Sequence, residues 1–509
     1  MLLVVIAALI LQQSPLNPGS IHYPSAESSL YLYTGAQVVD GNMPYRDVFD
    51  YHAPLVFILN ALGFFLGEAT GVWLIELHFL AITLIVIFAT LSRCTGSITA
   101  LLTTVIIAAL IGYSLQGGNQ IEEYALLFQA FALLGFMDCF TKRRLTLLSV
   151  YLIGVSAALT LCLKPSLTVF WVPFVIYIIA MLLRREGLGI AVTRLITIIF
   201  SASLVFIVIV PWLYMANALT SCYDQMTSFY GDYLSLVTQQ ERIDALLYFI
   251  ERPSFVFIVF ISLALVVRWV LLKLKMRSER SGVAQPPALQ DDAPFGRNTL
   301  ALVVTNLFAA LLVFAAMAIP GSPNEHIVLQ GLICLVIPLV SVIHLFMRAF
   351  SDRAKLRVVL GLVLIALLSL SLVVPGVVTT VTLTRRQQEM SLELVEQREL
   401  VNTMLSYQVL DEPVIVFGND CWIYTALDSY SATRYAYQPF TLTSAPEFRP
   451  DLRTDFYRQV NVAQSQFIIG RVSDNLVEQY PNIGEYERIF ENQRYEIYRR
   501  VEDGSFPVE

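Results

Sequence analysis

Charge is scarce in this chain. Only 14% of its 509 residues are charged, against about 25% in a soluble globular protein. There is no basic surplus either: 33 Lys and Arg against 40 Asp and Glu leave a net charge of −7, and nothing in that balance points to nucleic acid. The six cysteines show no CxxC and no metal-ligand spacing. Cys94, Cys139, Cys162 and Cys334 sit in or beside apolar runs and read as small filler; Cys222 and Cys421 leave a disulfide open. No basic n-region precedes the apolar Leu2–Leu11 and no clear cleavage site follows it, which argues against a secretory signal.

What fills the chain instead is apolar. Hydrophobic residues make up 56% and the mean hydropathy is +0.64. About 11 runs approach the roughly 20 residues that cross a hydrocarbon core of ~30 Å: Leu2–Leu11 (short), Val72–Leu91, Ser97–Tyr113, Tyr124–Phe140, Leu145–Leu163, Leu167–Leu183, Leu195–Met215, Phe255–Leu272, Leu300–Ile319, Ile327–Phe346 and Val358–Val378. The chain therefore reads as a polytopic α-helical membrane protein of the cell membrane.

The basic residues set its orientation, because positive charge stays in the cytoplasm. Alternate connecting segments hold 17 cations (Arg93; Lys142 to Arg144; Arg184, Arg185 and Arg194; Arg268 to Arg297; Arg348 to Arg357), whereas the opposite set holds four, Arg46, Lys164, Arg242 and Arg252. This predicts a cytoplasmic N-terminus and an extracytoplasmic tail. The outside set also carries 13 acids, from Glu27 to Glu325. Easier translocation explains the missing cations but not so many carboxylates.

The expected organisation is a transmembrane domain over 1–380, followed by a small extracytoplasmic α/β domain over 385–509. Within the first lie a first outside loop at 13–71 holding the acids, a second at 216–252 rich in aromatics (Tyr223, Phe229, Tyr230, Tyr233), and a Ser/Pro/Asp-rich cytoplasmic linker at 277–297 that reads as disordered. In the tail, Arg386–Leu410 reads as helix, Pro413–Phe417 and Gln466–Gly470 as buried strands separated by a helix over Pro450–Ala463, and Tyr486–Phe490 with Arg494–Arg499 as a closing hairpin. The tail has no GxGxxG.

The stretch Ala26–Gly63 resembles the first outside loop of GT-C membrane glycosyltransferases, in the family 39-like branch related to protein mannosyltransferases and the lipid A aminoarabinose transferase. The elements that carry the likeness are Glu27, Tyr31 to Gly35, Gly41–Asp47 (Gly-x-x-Pro-Tyr-x-Asp) and Phe49–Pro54. Asn119–Phe128 is similar to that family's acidic start of a later helix, Gly321–His326 to its Gly-x-x-x-x-His loop, and Val416–Tyr437 to its outside domain. Two positions depart: Glu27 stands where the family has aspartate, and Tyr51-His52 where it has His-Lys, which removes a cation that would meet phosphate.

The resemblance implies transfer of a hexose or pentose from a polyprenyl-phosphate donor to an extracytoplasmic acceptor, whether glycan, lipid or protein. An acceptor hydroxyl titrates far above neutrality, so a carboxylate must take its proton, an effect worth typically 10²–10⁴-fold; a lipid phosphate leaves as an anion and needs mainly cations and donors. Glu27 is the expected base, with Asp47 beside it as a second catalytic acid. Asp50, His52, Glu122, Glu123, Lys164, Arg242, Arg252 and His326 are the expected substrate-binding groups, the cations holding phosphate. Each has a plainer alternative. Asp47 and Asp50 would suit loop turns that bond backbone N–H groups. Asn119 and Glu122 are spaced as a capping box, and Glu122 and Glu123 also suit the positive end of a helix. Lys164 precedes a proline at a span's start and could snorkel, and His326 could be structural. Glu76 and His78, about a turn inside a span, point to the bundle interior without a role. No cofactor is expected, although clustered acids leave a divalent cation open. The rival function is a lipid-linked sugar or polysaccharide transporter or flippase. Against it, the spans' central parts are almost free of charge and no inverted repeat is visible.

Overall fold

The computed structural model describes residues 1–142, 145–279, 299–349, 381, 391–409, 412–438, 449–480 and 482–501. Every expected apolar run within the described residues is helical. They form α1 (Leu2–Ile10), α3 (Leu55–Thr95), α4 (Ser97–Ser114), α5 (Ile121–Lys142), α6 (Leu147–Leu161), α7 (Trp171–Arg185, entered by a 3₁₀ turn at Pro165–Phe170), α8 (Gly187–Met215), α12 (Pro253–Glu279), α13 (Thr299–Ala318) and α14 (Leu329–Ala349), while α2 (Ala26–Val39) lies between the first two. Val358–Val378 and the linker from residue 280 onward lie outside the described residues. Among the described helices, seven are long and apolar enough to cross a membrane, and the pair Gln239–Ile250 and Ser254–Val270, bent by 65°, makes an eighth if it is one span. Leu2–Gln13 and Leu147–Leu161 are apolar but shorter.

The helices sort by burial into a centre and a rim. The apolar window of His326–Leu345 is 89% buried, whereas that of Gly187–Met215 is 11% buried and presents Ile199, Ile207 and Val208 outward. A central helix in a membrane must satisfy its own backbone, and α14 contains Pro338, which has no N–H to give the carbonyl four residues earlier. Asn306 of α13 supplies the bond instead, donating from Nδ2 to the Cys334 oxygen at 2.7 Å.

The stretch expected as a first outside loop, 13–71, is largely helical in the structure. It holds α2 and the first part of α3. At 41 residues α3 is roughly twice as long as the hydrocarbon core is thick, and it breaks at Gly67 and Glu68, the latter with φ 55°. The chain doubles back there so closely that a Cβ on Gly63 would lie 2.6 Å from the Val72 Cα. This reversal lays the first half of α3 beside α2, where Gly35 approaches the Asn60 backbone. The expected loop at 216–252 is likewise helical, comprising α9 (Leu219–Asp224), a π turn (Gln225–Phe229), α10 (Tyr230–Leu236) and α11 (Gln239–Ile250).

The C-terminal region forms a five-stranded sheet of order β2-β1-β3-β5-β4. Its strands are β1 (Pro413–Val416), β2 (Tyr430–Ser431), β3 (Phe467–Arg471), β4 (Tyr486–Glu491) and β5 (Tyr495–Arg500), and its helices α15 (Leu392–Ser406), α16 (Trp422–Ala426), α17 (Pro450–Ala463) and α18 (Leu476–Gln479). β1 runs parallel to β2 and β3, with Ile415 opposite Ile468, and β5 is antiparallel to β3 and β4. The expected strands are all present, as are helices within Arg386–Leu410 and over Pro450–Ala463, whereas β2, α16 and α18 were unforeseen. Continuous apolar runs such as Val414–Phe417 and Phe467–Ile469 are what a sheet covered on both faces requires. The domain is docked on the α2 region: Tyr23 stacks on Trp422 at 4.3 Å, the Ser431 N–H donates to the Tyr33 hydroxyl at 3.0 Å, and the Phe49 N–H donates to the Arg434 oxygen at 2.7 Å.

Gly35→Ala tests this packing. Alanine is the better helix former by about 1 kcal/mol, but its Cβ would meet the Asn60 carbonyl carbon at 2.7 Å, and overpacking costs about 1–3 kcal/mol. A lowered midpoint of thermal unfolding in detergent is expected; a raised one would mean that α2 is not held by this contact.

Candidate active site

Five of the expected site residues come together. Glu27, His52, Glu122, Lys164 and His326 line one cavity of about 460 Å³, and each reaches it from a different element. Glu27 stands in the first turn of α2, and His52 just before α3. Glu122 stands in the first turn of α5, Lys164 precedes the turn into α7, and His326 is the second residue of the short turn before α14. The remaining wall carries five tyrosines, Tyr31, Tyr51, Tyr230, Tyr233 and Tyr437, with Asn324 and Asn419, set among apolar residues such as Ile121, Leu163, Met226 and Ile327.

The charges are unequally compensated. Glu122 is buried, and its Oε1 accepts from Lys164 Nζ at 2.6 Å and from Gln330 Nε2 of α14 at 3.1 Å. Burial works against the Lys164 ammonium, but the adjoining Glu122 carboxylate outweighs it and raises its pKa above the usual lysine value. Glu27 is about one-third exposed and faces His326, whose Nε2 lies 3.6 Å from its Oε2, too far for a hydrogen bond. Among the described residues, Glu27 is thus the cavity carboxylate that no cation holds closely.

His52 is fixed from behind. Asp50, fully buried, accepts from the His52 N–H at 2.8 Å and pairs with His52 Nδ1 at 2.7 Å. Desolvation lowers the pKa of the imidazole, and the Asp50 carboxylate more than reverses this, leaving it above the ordinary histidine value. The Asp50 N–H in turn donates to Gln225 Oε1 at 2.9 Å, and Gln225 Nε2 to the Tyr45 oxygen at 2.8 Å, so the π turn of the later segment braces this loop. Tyr51 stacks on the His52 ring at 4.5 Å and lies nearly parallel to Tyr230 and Tyr233.

The other expected residues sit elsewhere. Asp50 acts behind His52 rather than on the cavity wall. Asp47 closes its own turn, accepting the Met43 N–H at 2.8 Å, and is paired with Arg46 at 2.6 Å, which holds its carboxyl below the usual range. The Arg242 guanidinium donates to the Leu234 oxygen at 2.6 Å, and Arg252 lies over the Tyr248 ring at 3.8 Å; neither lines the cavity. Glu123 is buried beside Glu76 inside the bundle. The capping-box alternative for Asn119 and Glu122 does not form, because the Asn119 side chain bonds Asn60, the Ser28 oxygen and the Tyr124 hydroxyl, and the Glu122 side chain bonds Lys164. Asn119 has φ 52°, and Glu76 accepts its N–H along with the Ser14 hydroxyl. That gives Glu76 the role the sequence left blank: it anchors the loop that aims Glu122. Among the described residues no three His, Cys, Asp or Glu side chains converge as metal ligands would.

The tyrosines were not among the expected site residues, although all five lie in stretches that sequence reasoning singled out: Tyr31 and Tyr51 in the first resembling motif, Tyr230 and Tyr233 in the aromatic segment 216–252, and Tyr437 in the Val416–Tyr437 likeness.

The fold is similar to that of two crystal structures of ArnT, the lipid A aminoarabinose transferase, from Cupriavidus metallidurans. One is bound to undecaprenyl phosphate: it is 11% identical, the match covers 100% of this chain and 99% of that one, and the TM-score is 0.57. The apo structure is 12% identical over 98% and 97%, with a TM-score of 0.58. This places the chain in the polytopic GT-C membrane fold with a small C-terminal α/β region. No curated protein matches it in sequence. Residues 1–284 match the family described as "Putative competence-induced protein Ccs4 N-terminal domain", and the chain belongs to that family.

Proposed function

We propose that this chain is a membrane glycosyltransferase that moves a sugar from a polyprenyl-phosphate donor to an extracytoplasmic acceptor, with Glu27 as general base. The observation that carries the reading is the polarity of the cavity: a loosely held carboxylate faces an aromatic wall, and Lys164, His52 and His326 supply positive or donor groups around it. Support comes from the fold, shared with a protein crystallised with undecaprenyl phosphate.

In this reading the donor phosphate sits among Lys164, His52 and His326. Glu27 takes the acceptor's hydroxyl proton, the acceptor oxygen bonds to the anomeric carbon, and the bond from that carbon to the phosphate oxygen breaks. The electron pair leaves with the lipid phosphate, whose charge the cations stabilise in the transition state. In this reading Arg242 and Arg252, which do not line the cavity, take no part in holding phosphate, and Asp47 supports the loop.

Glu27→Gln keeps size and hydrogen bonding but cannot take the proton. Sugar transfer from an undecaprenyl-phosphate-linked donor should fall at least about 100-fold with donor binding retained, and Glu27→Asp should keep part of the activity. Near-normal transfer by the Gln variant would sink the base assignment, and wild-type protein that moves the lipid-linked sugar across vesicles without transferring it would favour the transporter.

A second expectation concerns pH. The His52 pKa is raised, so its positive charge persists above the ordinary value of about 6.5 and is lost as pH rises through the raised one. Asp50→Asn removes the cause. Undecaprenyl phosphate affinity should then fall off at a lower pH than in the wild type, and identical pH profiles would take His52 out of phosphate binding.

A third concerns sidedness. Ser25→Cys and Val477→Cys are both at exposed positions and should both react with a membrane-impermeant maleimide added from outside. Reaction at only one would overturn an extracytoplasmic site shared by α2 and the sheet.

A further inference from the structure

The C-terminal sheet has a switch in winding direction at β1. From β1 the chain runs through α16 to β2 on one side, then through α17 to β3 on the other, and both neighbours are parallel to β1. In open parallel α/β sheets, connections that diverge in this way leave a crevice beyond the carboxyl end of the strand, and ligands bind there. Here that end is Phe417–Asp420, and it meets the membrane domain's cavity: Asn419 and Tyr437 both line it.

The loop is held in place by its surroundings. Gly418 has φ 98°, a conformation that glycine adopts without steric cost. The Gln438 N–H donates to the Gly418 oxygen, and Gln438 Nε2 to the Val416 and Tyr435 oxygens, each at 3.1 Å. Asp420 accepts the Arg471 guanidinium at 2.6 and 2.8 Å and the Trp422 indole at 3.0 Å. Between these fixed neighbours, Asn419 Oδ1 is buried and meets no donor among the described residues. A buried acceptor left unmatched is costly, and a ligand's hydroxyl would relieve it. Tyr230 and Tyr233 of the same cavity, with Tyr51, offer flat apolar surfaces for a ring.

We propose that Asn419 is a specificity-determining residue: its Oδ1 accepts the hydrogen of one ring hydroxyl of the transferred sugar, so the donor class is a polyprenyl-phosphate sugar bearing a free hydroxyl at that position. The proposal rests on the glycosyltransferase reading above. It gives the soluble domain a part in choosing the sugar, while the membrane domain holds the phosphate.

The test compares affinities of the full chain in detergent for bare undecaprenyl phosphate and for undecaprenyl-phosphate-linked glucose, mannose and arabinose. The wild type should prefer at least one glycosylated lipid. Asn419→Ala should erase about 3- to 10-fold of that preference, as loss of a neutral hydrogen bond implies, with bare-lipid affinity unchanged. Asn419→Asp, which keeps an acceptor oxygen in place, should retain it. An unchanged preference in Asn419→Ala, or no preference in the wild type, overturns the proposal while leaving the phosphate site standing. If Asn419→Ala loses the bare lipid as well, Asn419→Asp decides, since a lost preference there overturns the proposal and a kept one supports it. Wild-type protein that binds no undecaprenyl phosphate would remove the function reading itself, and this inference with it.

Discussion

The Glu122–Lys164 pair is the contact on which the cavity depends. It joins the first turn of α5 to the start of the turn leading into α7, and Gln330 ties in α14. Removing one member of a fully buried pair costs about 3–5 kcal/mol, because the other charge is stranded. The Lys164 side chain is 26% exposed, which puts this pair at or below the low end of that range. Its position matters as much as its strength. The carboxylate neutralises the ammonium enough to keep it beside a low-dielectric wall, while two of the three ammonium hydrogens stay available to a third party. Glu27, in the same cavity, has no cation closer than His326 at 3.6 Å among the described residues.

A second tier of contacts keeps those groups aimed. Glu76 and Asn119 lock the entry to α5, and Asp50 with Gln225 locks His52. Each joins segments far apart in sequence, and each places a polar group next to apolar helices where an unmatched donor or acceptor would be expensive. The polar residues around the cavity therefore brace it as well as line it, and the stretch from Gly41 to Pro54 holds part of that brace.

The sequence made the apolar helices and the core strands legible because membrane and sheet both demand continuous apolar runs, and α5, α14, β1 and β3 leave little choice. The reversal at Gly63 to Val72 was not legible, since periodicity does not say that a helix doubles back on itself. For the site, residue types were readable and directions were not. Arg242 and Lys164 look alike as isolated outside cations, yet one faces the Leu234 carbonyl and the other the cavity. Asn119 and Glu122 fit a capping box by spacing, but tertiary partners bind both side chains more directly. Asn419 carried no signal of its own, because its place depends on how β1 docks.

That docking also has a bearing on assembly. The Ser431 N–H and the Tyr33 hydroxyl it bonds are 398 residues apart. A ribosome adding roughly 5–20 residues per second needs about 20–80 s to cover that distance, and for all of that time Tyr33, Tyr23 and Phe49 lack the surface that finally covers them. The helices between can insert and pack as they emerge, but the wall of the cavity cannot close until the last quarter of the chain has been made. Completion of the site is therefore a late step in biogenesis, and a chain released early would carry Glu27, Lys164 and His326 in a membrane domain open on one side.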